Sequence, residues 1–460
     1  MSSPRVSVIL TAHNYAKHLD RAVRSVLEQS YTDFELVIVD DGSTDYTQHL
    51  LEGYAGESRI HVVRLTGLGL AAASNRGIAA SKGEYLIRLD ADDYFDENML
   101  LVEAHFLDRH PNVHMVFPDY YRVDLRGGIM EHVRLPKVHD EVTLLDRSPL
   151  AAGAMYRRWC FEALGGYDET LRYQEDYDFW IRFIDRFNVY NVNLPLLYYR
   201  QHDRNMSRNF EGRMEARRQV KKKFVESKGT RNSKRVLGII PAMARQRDGQ
   251  KLPLFKLGGR PLLGYSIDQA LQAKALDRLI VSTEDFEVAE AARSLGADVP
   301  FLRPQELARS SVSVEEMLRH LLSRLAEEED YRPDLVAVLH MHCPFRRAAH
   351  LAEAIDTLLL YHADSVLSVS QDLTFHWRRG KEGLEPVGYQ KRLLREEKEV
   401  IFKENGALYL TSAELIRAGN FLGKRISYIE MAPQESLRLE NDFDFWVAEQ
   451  MLQAEQPAKG

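Results

Sequence analysis

The sequence predicts an α/β protein with two domains in tandem. The prediction rests on an alternation of strand-like and helix-like segments, and on its occurrence twice along the chain. Short apolar runs without polar alternation alternate with segments of helical apolar spacing, first over residues 1–225 and again over 235–460. Such alternation is typical of a mostly parallel sheet covered by helices. The length of 460 residues accommodates two or three domains, and the polar stretch 226–234 is predicted as a linker.

The composition is that of a globular protein, with 45% hydrophobic and 28% charged residues. A net charge of -7 argues against nucleic-acid binding. Two cysteines, Cys160 and Cys343, in so long a chain favour a reducing compartment without a disulfide framework, and neither has a partner at metal-binding spacing. We expect no signal peptide and no membrane span, because a strand follows the N-terminus directly and no apolar run reaches about 18 residues. A cytoplasmic location is therefore predicted.

The first half consists of strands that alternate with helices. Strands are predicted at 6–12, 35–39, 61–65, 85–89 and 114–123, and helices near 19–27, 70–81 and 97–109. In such sheets ligands bind beyond the carboxyl ends of the strands. The polar residues predicted at those ends are Thr11, His13, Asp40, Asp41, Asp90, Asp92 and Asp93.

Three acids, Asp90, Asp92 and Asp93, follow the apolar strand 85–89 directly. Carboxylates this close repel one another unless water or a cation compensates their charge. A hard ion, Mg²⁺ or Mn²⁺, suits oxygen ligands and usually arrives with substrate phosphates. The alternative is a solvated acidic turn, but polar residues at several successive strand ends are harder to explain in that way.

Seven segments in this half resemble the inverting family-2 glycosyltransferases of the GT-A fold. They are VSVILTAHN (6–14), VIVDDGSTD (37–45), NRG (75–77) with Gly83, LDADD (89–93), GGYD (165–168), EDYDFW (175–180) and YRQH (199–202). The resemblance implies that Asp176, in the pair Glu175–Asp176, is the catalytic base. It implies donor binding by Thr11, Asp40, Asp41 and Asp90, with Asp40 on the base and Asp90 near the ribose, and metal binding by Asp92, Asp93 and His202.

Several acids and one histidine in these segments also suit a purely structural role. Asp176 and Asp178 also suit the N-terminus of a helix, where the macrodipole favours acids. His202 also suits an exposed polar loop. Asp41 and Asp45 also suit turn capping.

The stretch 213–228 is basic and has a spacing compatible with a helix. One hypothesis is peripheral contact with anionic lipid at the inner face of a membrane. The alternative, which we favour, is a solvated helix that closes the first domain, because large apolar residues are few here.

The second half repeats the α/β pattern. Strands are predicted at 236–242, 278–283, 335–339, 365–370 and 407–411, and helices at 261–274, 286–295, 313–329 and 348–361. This half resembles the cytidylyltransferases that activate acidic sugars, the CMP-sialate and CMP-Kdo synthetases. The matching segments are IIPA (239–242), LGGRPL (257–262), VSTED (281–285), VPFLRP (299–304), CPFR (343–346) and ENGALY (404–409).

The resemblance implies phosphate contacts by Arg245 and Lys251 and sugar contacts by Arg395 and Asn405. It also implies two metal-binding aspartates near the C-terminus, where this chain has Arg438 and Glu440. An arginine cannot ligate Mg²⁺, so this half is predicted to be catalytically impaired.

We expect His340 and His342, spaced by one residue at a strand end, to point to opposite faces, so a two-histidine metal site is not expected.

Together these observations predict two tandem Rossmann-like nucleotide-binding domains, a GT-A fold followed by a cytidylyltransferase-like α/β fold. The expected activity is Mg²⁺- or Mn²⁺-dependent transfer of a sugar from a nucleotide-sugar donor, UDP being weakly favoured, to a glycan or lipid-linked acceptor. The alternatives are a bifunctional enzyme that makes a CMP-activated acidic sugar from CTP, and a non-catalytic nucleotide-binding scaffold. Self-association into a homo-oligomer is a further hypothesis.

Overall fold

A computed structural model of the chain describes residues 3–135, 152–201, 209–309, 311–381, 383–387 and 401–455. It divides into two compact units, Met1–Val220 and Lys221–Gly460. Helix α7, Phe210–Lys228, and the short 3-10 helix Arg231–Ser233 extend into the stretch predicted as a linker. The domain boundaries at 225 and 235 stay predictions.

The first unit alternates strands and helices through its first half, as the sequence pattern predicts. Its strands are β1 Val6–Ala12, β2 Phe34–Asp41, β3 Ile60–Leu65, β4 Tyr85–Asp90, β5 Tyr94–Phe95, β6 Met115–Val123, β7 Ile129–Val133, β8 Met155–Arg157 and β9 Val189–Arg200. Its helices before α7 are α1 Ala16–Leu27, α2 Thr47–Glu52, α3 Leu70–Ala80, α4 Met99–Arg109, α5 Arg158–Leu164 and α6 Glu175–Ile184.

The described strands of this unit form one sheet in the order β3-β2-β1-β4-β8-β6-β9-β5, with β7 paired to β6. Strands β3, β2, β1 and β4 are parallel, while β8 is antiparallel to both β4 and β6. The register sets Thr11 opposite Asp90 and Ala12 opposite Asp40. The polar ends of three parallel strands therefore meet at one edge of the sheet.

The sheet of the first unit separates two apolar layers. Leu10 packs in a cluster with Leu19 of α1, while its neighbour Ile9 packs in a second cluster with Ala73 of α3. This opposite placement follows from the alternation of side chains along a strand. Gly77 permits α3 to approach closely, because a Cβ there would lie 2.5 Å from a methyl group of Ile9.

The second unit has a sheet in the order β15-β10-β16-β20-β17-β21. Strands β15, β10 and β16 are parallel, and β20 is antiparallel to β16 and β17. Its strands are β10 Val236–Pro241, β11 Gln246–Arg247, β12 Gln250–Lys251, β13 Lys256–Leu257, β14 Arg260–Pro261, β15 Arg278–Ser282, β16 Leu335–Leu339, β17 Ser365–Asp372, β18 His376–Arg379, β19 Leu384–Val387, β20 Ile401–Ser412 and β21 Ile426–Glu430.

Helices cover both faces of this second sheet. Ile240 packs in a cluster with Leu263 of α8, and the adjacent Ile239 packs in another with Leu318 of α10. The helices are α8 Leu262–Gln272, α9 Phe286–Ser294, α10 Val314–Glu328, α11 Ala348–Tyr361, α12 Ala413–Arg417 and α13 Asp442–Glu455.

The basic stretch 213–228 lies in α7. Lys221 is buried, and its Nζ lies 3.3 Å from a carboxylate oxygen of Glu353 and 3.2 Å from the hydroxyl of Thr357. At least this one cation is therefore used inside the fold, and membrane contact by the rest of the stretch stays a prediction. Among the described residues, no helix combines the length and apolarity that crossing a membrane requires.

Candidate active site

Asp40, at the end of β2, offers a free acceptor in the first unit. Its side chain is fully buried, and one carboxylate oxygen accepts a hydrogen bond from the Ser43 backbone N–H at 3.0 Å. The other oxygen, Oδ2, is buried and has no hydrogen-bond partner among the described residues. An unsatisfied buried acceptor costs roughly 1–3 kcal/mol, so a ligand N–H at this oxygen would be stabilising. Thr11 is also buried, at the end of neighbouring β1.

The carboxylate of Asp41 is occupied by the backbone. It accepts hydrogen bonds from the N–H groups of Gly67, Leu68 and Gly69, at 3.1, 2.7 and 2.7 Å. Asp41 therefore fixes the loop that leads from β3 into α3. Asp45 likewise accepts from Ala16 N–H at 3.1 Å and ties the start of α1 to the β2–α2 loop.

The acidic turn after β4 concentrates negative charge. Asp93 is buried, and Arg200 donates its backbone N–H to the Asp93 carboxylate at 2.8 Å. Burial, together with the charges of Asp92 and Asp90, raises the pKa of Asp93 well above its usual range. Asp92 is only half-buried. A cation at this turn would relieve the repulsion.

The donor set fits a divalent ion that arrives with phosphates. Within the described ranges, no group of three or more His, Cys, Asp or Glu side chains is arranged to hold a metal ion. Mg²⁺ needs no such cage, because it is usually bound by one or two carboxylates plus substrate phosphates and water. Asp92 and Asp93 are of this type, whereas His202 lies outside the described residues.

Arg88, which the motif analysis missed, connects the acidic turn to helix α6. Its side chain is 5% exposed. Its Nε lies 3.3 Å from a carboxylate oxygen of Asp90, and another guanidinium nitrogen lies 3.3 Å from Glu175. The strand-end acids and the start of α6 therefore share one buried cation. The signal in the sequence was a single arginine within the apolar strand 85–89.

Helix α6 carries the Glu175–Asp176 pair in its first turn. Glu175 is buried, while Asp176 is half-buried and accepts the Tyr177 backbone N–H at 2.8 Å. Asp178 is buried and paired with Arg182 at 2.6 Å. Of the three acids, Asp176 is thus the one that is partly exposed to solvent and adjacent in the chain to the acid that contacts Arg88.

We expect the stability of the Glu175→Gln variant, relative to that of wild type, to increase as the pH rises. Burial, followed by the charge of Asp176, raises the pKa of Glu175 from 4.5 to about 7. The folded state therefore keeps a proton that the unfolded chain loses, and the contribution of Glu175 to wild-type stability falls as the pH rises from about 4.5 to about 7. The neutral glutamine escapes this loss, which amounts to at most about 3 kcal/mol.

Thermal unfolding midpoints at pH 5 and pH 8 would measure this effect. The midpoint of Glu175→Gln relative to wild type should rise between these pH values. Asp33→Asn, a change at an exposed acid, should show no such trend. An equal shift for both variants would contradict the burial-raised pKa of Glu175.

The second unit has a cavity of about 210 Å³ at the carboxyl ends of β10 and β16. Its polar lining includes Arg245, Arg303, Arg309, His340 and His342. The prediction that the two histidines face opposite sides is wrong, because both line this cavity. The reasoning behind it is at fault, because residues two apart along a strand share a face, so the spacing of these histidines after β16, which ends at Leu339, gives no reason to separate them. Burial and the charges of His342 and Arg438 lower the pKa of His340 to about 4.

The residues of the second unit that are predicted to bind a ligand differ in whether they already form contacts with other side chains. Arg245 is exposed and lines the cavity. Lys251 donates to Asp285 and to Glu287, each at 2.8 Å, so a phosphate would have to compete with two carboxylates.

The Asn405 side chain is buried, and both the oxygen and the nitrogen of its amide form hydrogen bonds. Its oxygen accepts from the Ser368 hydroxyl at 2.6 Å and its nitrogen donates to the Ser436 hydroxyl at 2.9 Å. A sugar contact by Asn405 stays a prediction. Arg395 lies outside the described residues.

The implied metal position of the second unit contains an ion pair. Arg438 Nε lies 2.9 Å from Glu440 Oε1. The guanidinium also packs on Gly406, where a Cβ would lie 2.7 Å from it. A cation already balances the one carboxylate present, so these two residues do not fit a divalent metal.

Each half of the chain matches the model of a known protein family over part of its length. Residues 7–161 match the model of glycosyl transferase family 2, and residues 244–435 match the cytidylyltransferase model. The fold class predicted from the sequence, two tandem nucleotide-binding α/β domains, is thereby confirmed.

Individual relatives match one half each. Putative glycosyltransferase EpsE of Bacillus subtilis is 31% identical over 207 residues, which cover 44% of this chain and 74% of that protein. CMP-N,N'-diacetyllegionaminic acid synthase of Legionella pneumophila is 28% identical over 233 residues, 49% of this chain and 99% of that protein. A crystal structure of S. aureus TarS in complex with UDP-GlcNAc is 22% identical, with a TM-score of 0.42, over 48% of this chain and 66% of its own. The C-terminal half is similar to cytidylyltransferases, and the chain belongs to glycosyl transferase family 2.

Proposed function

We propose that the first unit transfers a glycosyl group from a nucleotide-sugar donor to a hydroxyl group of a glycan or lipid-linked acceptor, with inversion. The position of Arg88 carries this proposal, because its guanidinium lies 3.3 Å from both Asp90 and Glu175. A strand-end acid, Asp90, and the helical turn that carries the half-buried Asp176 are thus linked through a single buried cation.

The donor nucleotide lies at the ends of β1, β2 and β4 in this proposal. Asp40 Oδ2, the buried oxygen without a described partner, accepts an N–H of the base, and the imide N–H of uracil has the required polarity. This contact favours UDP only weakly, because guanine and cytosine also carry N–H donors. Asp90, opposite Thr11 in the register, is assigned to the ribose.

The leaving diphosphate gains negative charge as the glycosidic bond breaks. Asp92 and Asp93 would hold Mg²⁺ or Mn²⁺, and such an ion supplies charge stabilisation to a departing phosphate. Asp93 is the more buried of the two acids and is anchored by the Arg200 N–H. It orients the turn, while the half-buried Asp92 faces the ligand.

Asp176 takes the proton of the acceptor hydroxyl. A carboxylate can act as general base when it reaches the reacting hydroxyl within hydrogen-bond distance. Glu175 beside it stays largely in contact with Arg88, so the two acids of the pair have different tasks. Attack on the side opposite to the leaving diphosphate inverts the anomeric carbon.

The full chain with Mn²⁺ and a panel of UDP-, GDP- and CMP-sugars tests this proposal. We expect release of UDP or GDP from one of the two diphosphate donor classes and no release of CMP from the CMP-sugars, and calorimetric binding of the same diphosphate only when Mn²⁺ is present. If no diphosphate binds and no donor is consumed, the proposal fails and the scaffold alternative takes its place.

We expect Asp92→Asn to weaken Mn²⁺-dependent binding of UDP by about tenfold or more, because it removes a charged oxygen ligand. Calorimetry with UDP, with Mn²⁺ and with EDTA, measures the change. Asp33→Asn makes the same chemical change at an exposed position of the same unit and should leave the affinity unaltered. Equal affinities of wild type and Asp92→Asn would remove Asp92 from the metal site.

A further inference from the structure

The turn between β6 and β7 of the first unit exposes a cluster of apolar side chains. Leu125, Ile129 and Met130 are 60%, 59% and 37% exposed. In the described part of the first unit, no other stretch as short as 125–130 carries three large apolar side chains this exposed. Exposed apolar residues that stand singly are normal on a protein surface, whereas a cluster of them indicates an interaction site.

Hydrogen bonds within the turn fix its shape. The backbone N–H of Asp124 donates to the carbonyl of Gly128 at 3.0 Å. The Asp124 carboxylate accepts the backbone N–H groups of Arg126 and Gly128, each at 2.8 Å. Gly127 has a φ of +86°, a conformation that glycine adopts without strain. The turn therefore presents its apolar side chains to solvent in a fixed arrangement.

The uncompensated charge of this hairpin is positive. Glu131 pairs with Arg122 at 2.6 Å, and the Asp124 carboxylate is occupied by backbone N–H groups. Arg126 and Arg134 are exposed, and neither forms an ion pair with a carboxylate within the described ranges. Because the whole chain has a net charge of -7, this group of cations is a local feature. Apolar side chains flanked by arginines suit contact with anionic lipid.

Arg200 connects the apolar turn to the acidic turn after β4. Its side chain is buried, and it donates to the carbonyl of Leu125 at 3.0 Å and to the carbonyl of Asp92 at 2.8 Å. Its backbone N–H donates to the Asp93 carboxylate at 2.8 Å. One residue thus contacts both the exposed turn and the acids assigned to the metal. A surface bound at the exposed turn would lie close to the reacting groups.

We propose that the β6–β7 hairpin docks on an anionic lipid surface. Leu125, Ile129 and Met130 enter the boundary between headgroups and acyl chains, and the guanidinium groups of Arg126 and Arg134 contact lipid phosphates. The basic stretch in α7 is not needed for this contact. Taken together with the proposed glycosyl transfer, on which this one consequence rests, the docking favours a lipid-linked acceptor over a free glycan.

Sedimentation of the full chain with lipid vesicles tests the docking. We expect binding to vesicles of phosphatidylcholine mixed with phosphatidylglycerol to be at least about tenfold stronger than binding to phosphatidylcholine alone, because each arginine near an anionic surface contributes about fivefold. Added salt should weaken the binding. No donor, acceptor or metal is present, so failure of the glycosyl transfer proposal would not affect the result. Equal sedimentation with both kinds of vesicle, or none, would overturn the docking.

Leu125→Asn combined with Ile129→Asn should weaken binding to the anionic vesicles by about tenfold or more, because it removes apolar surface from the lipid contact. The thermal midpoint should stay near that of wild type, since both side chains are exposed. Leu194→Asn, at a leucine of β9 that is 45% exposed, is the matched control. Vesicle binding that survives the double replacement would overturn the docking. So would a dimer that the double replacement dissociates while vesicle binding is unaltered, because the face would then belong to a second copy of the chain.

Arg126→Ser combined with Arg134→Ser tests the charge separately. This variant should lose most of the preference for anionic over neutral vesicles. Arg109→Ser, at an exposed arginine of α4 in the same unit, should keep that preference. An unchanged preference in the double variant would show that these arginines do not contact lipid phosphates and would contradict the proposed surface.

Discussion

Replacement of Asp176 by asparagine is expected to lower the rate of glycosyl transfer by about 100- to 10,000-fold, the usual contribution of a general base. Asparagine keeps the shape of the side chain and can still accept the Tyr177 N–H bond, which is 2.8 Å in the native chain. It cannot take a proton from the acceptor. The loss should therefore appear in kcat, with little change in the affinity for UDP.

The measurement follows release of the nucleoside diphosphate from the active donor of the panel, with calorimetry on UDP in parallel. Asp178→Asn is the matched control, because Asp178 lies in the same helical turn but is paired with Arg182. It should reduce the thermal midpoint and leave the rate per folded molecule nearly unchanged. If Asp176→Asn transfers at the wild-type rate, another group is the base.

Arg88→Met is expected to lower stability by about 3–5 kcal/mol, the usual cost of removing one partner from a buried ion pair. The change leaves Asp90 and Glu175 without the guanidinium that each approaches at 3.3 Å. For a unit of this size we expect the thermal midpoint to fall by roughly 10 °C. Arg122→Met, at a more exposed pair with Glu131, should cost only up to about 1 kcal/mol.

A double replacement distinguishes the effect of the unpaired buried charge from the effect of the lost packing. Arg88→Met with Glu175→Gln should be more stable than Arg88→Met alone, because the orphaned carboxylate is gone. Thermal unfolding of the four combinations at pH 8 measures this coupling. If the effects of the two substitutions on stability simply add, Arg88 does not act through Glu175.

The parallel core of each unit could be predicted from the sequence because its signals are local. Strands β1, β2 and β4 are continuous apolar runs, and helix α3 is an alanine-rich segment in which Gly77 meets β1. Where these strands end, polar residues begin, and parallel pairing alone brings Thr11 next to Asp90.

Strands β5, β8 and β9 were not predicted. Strands β5 and β8 have only two and three residues, and β9 is interrupted by asparagine and proline. Their pairing depends on partners far along the chain, such as β4 with β8. Short polar strands give no periodic signal of their own.

Three features could be predicted without the structure: the fold class, the family motifs, and the presence of Arg438 and Glu440 at the implied metal position. These are properties of residue type and spacing along the chain. The tertiary structure decided which charges meet: Arg88 between Asp90 and Glu175, and Arg438 with Glu440 beside the cavity. Such pairings depend on packing between distant segments and on burial, which removes the water that would otherwise screen each charge.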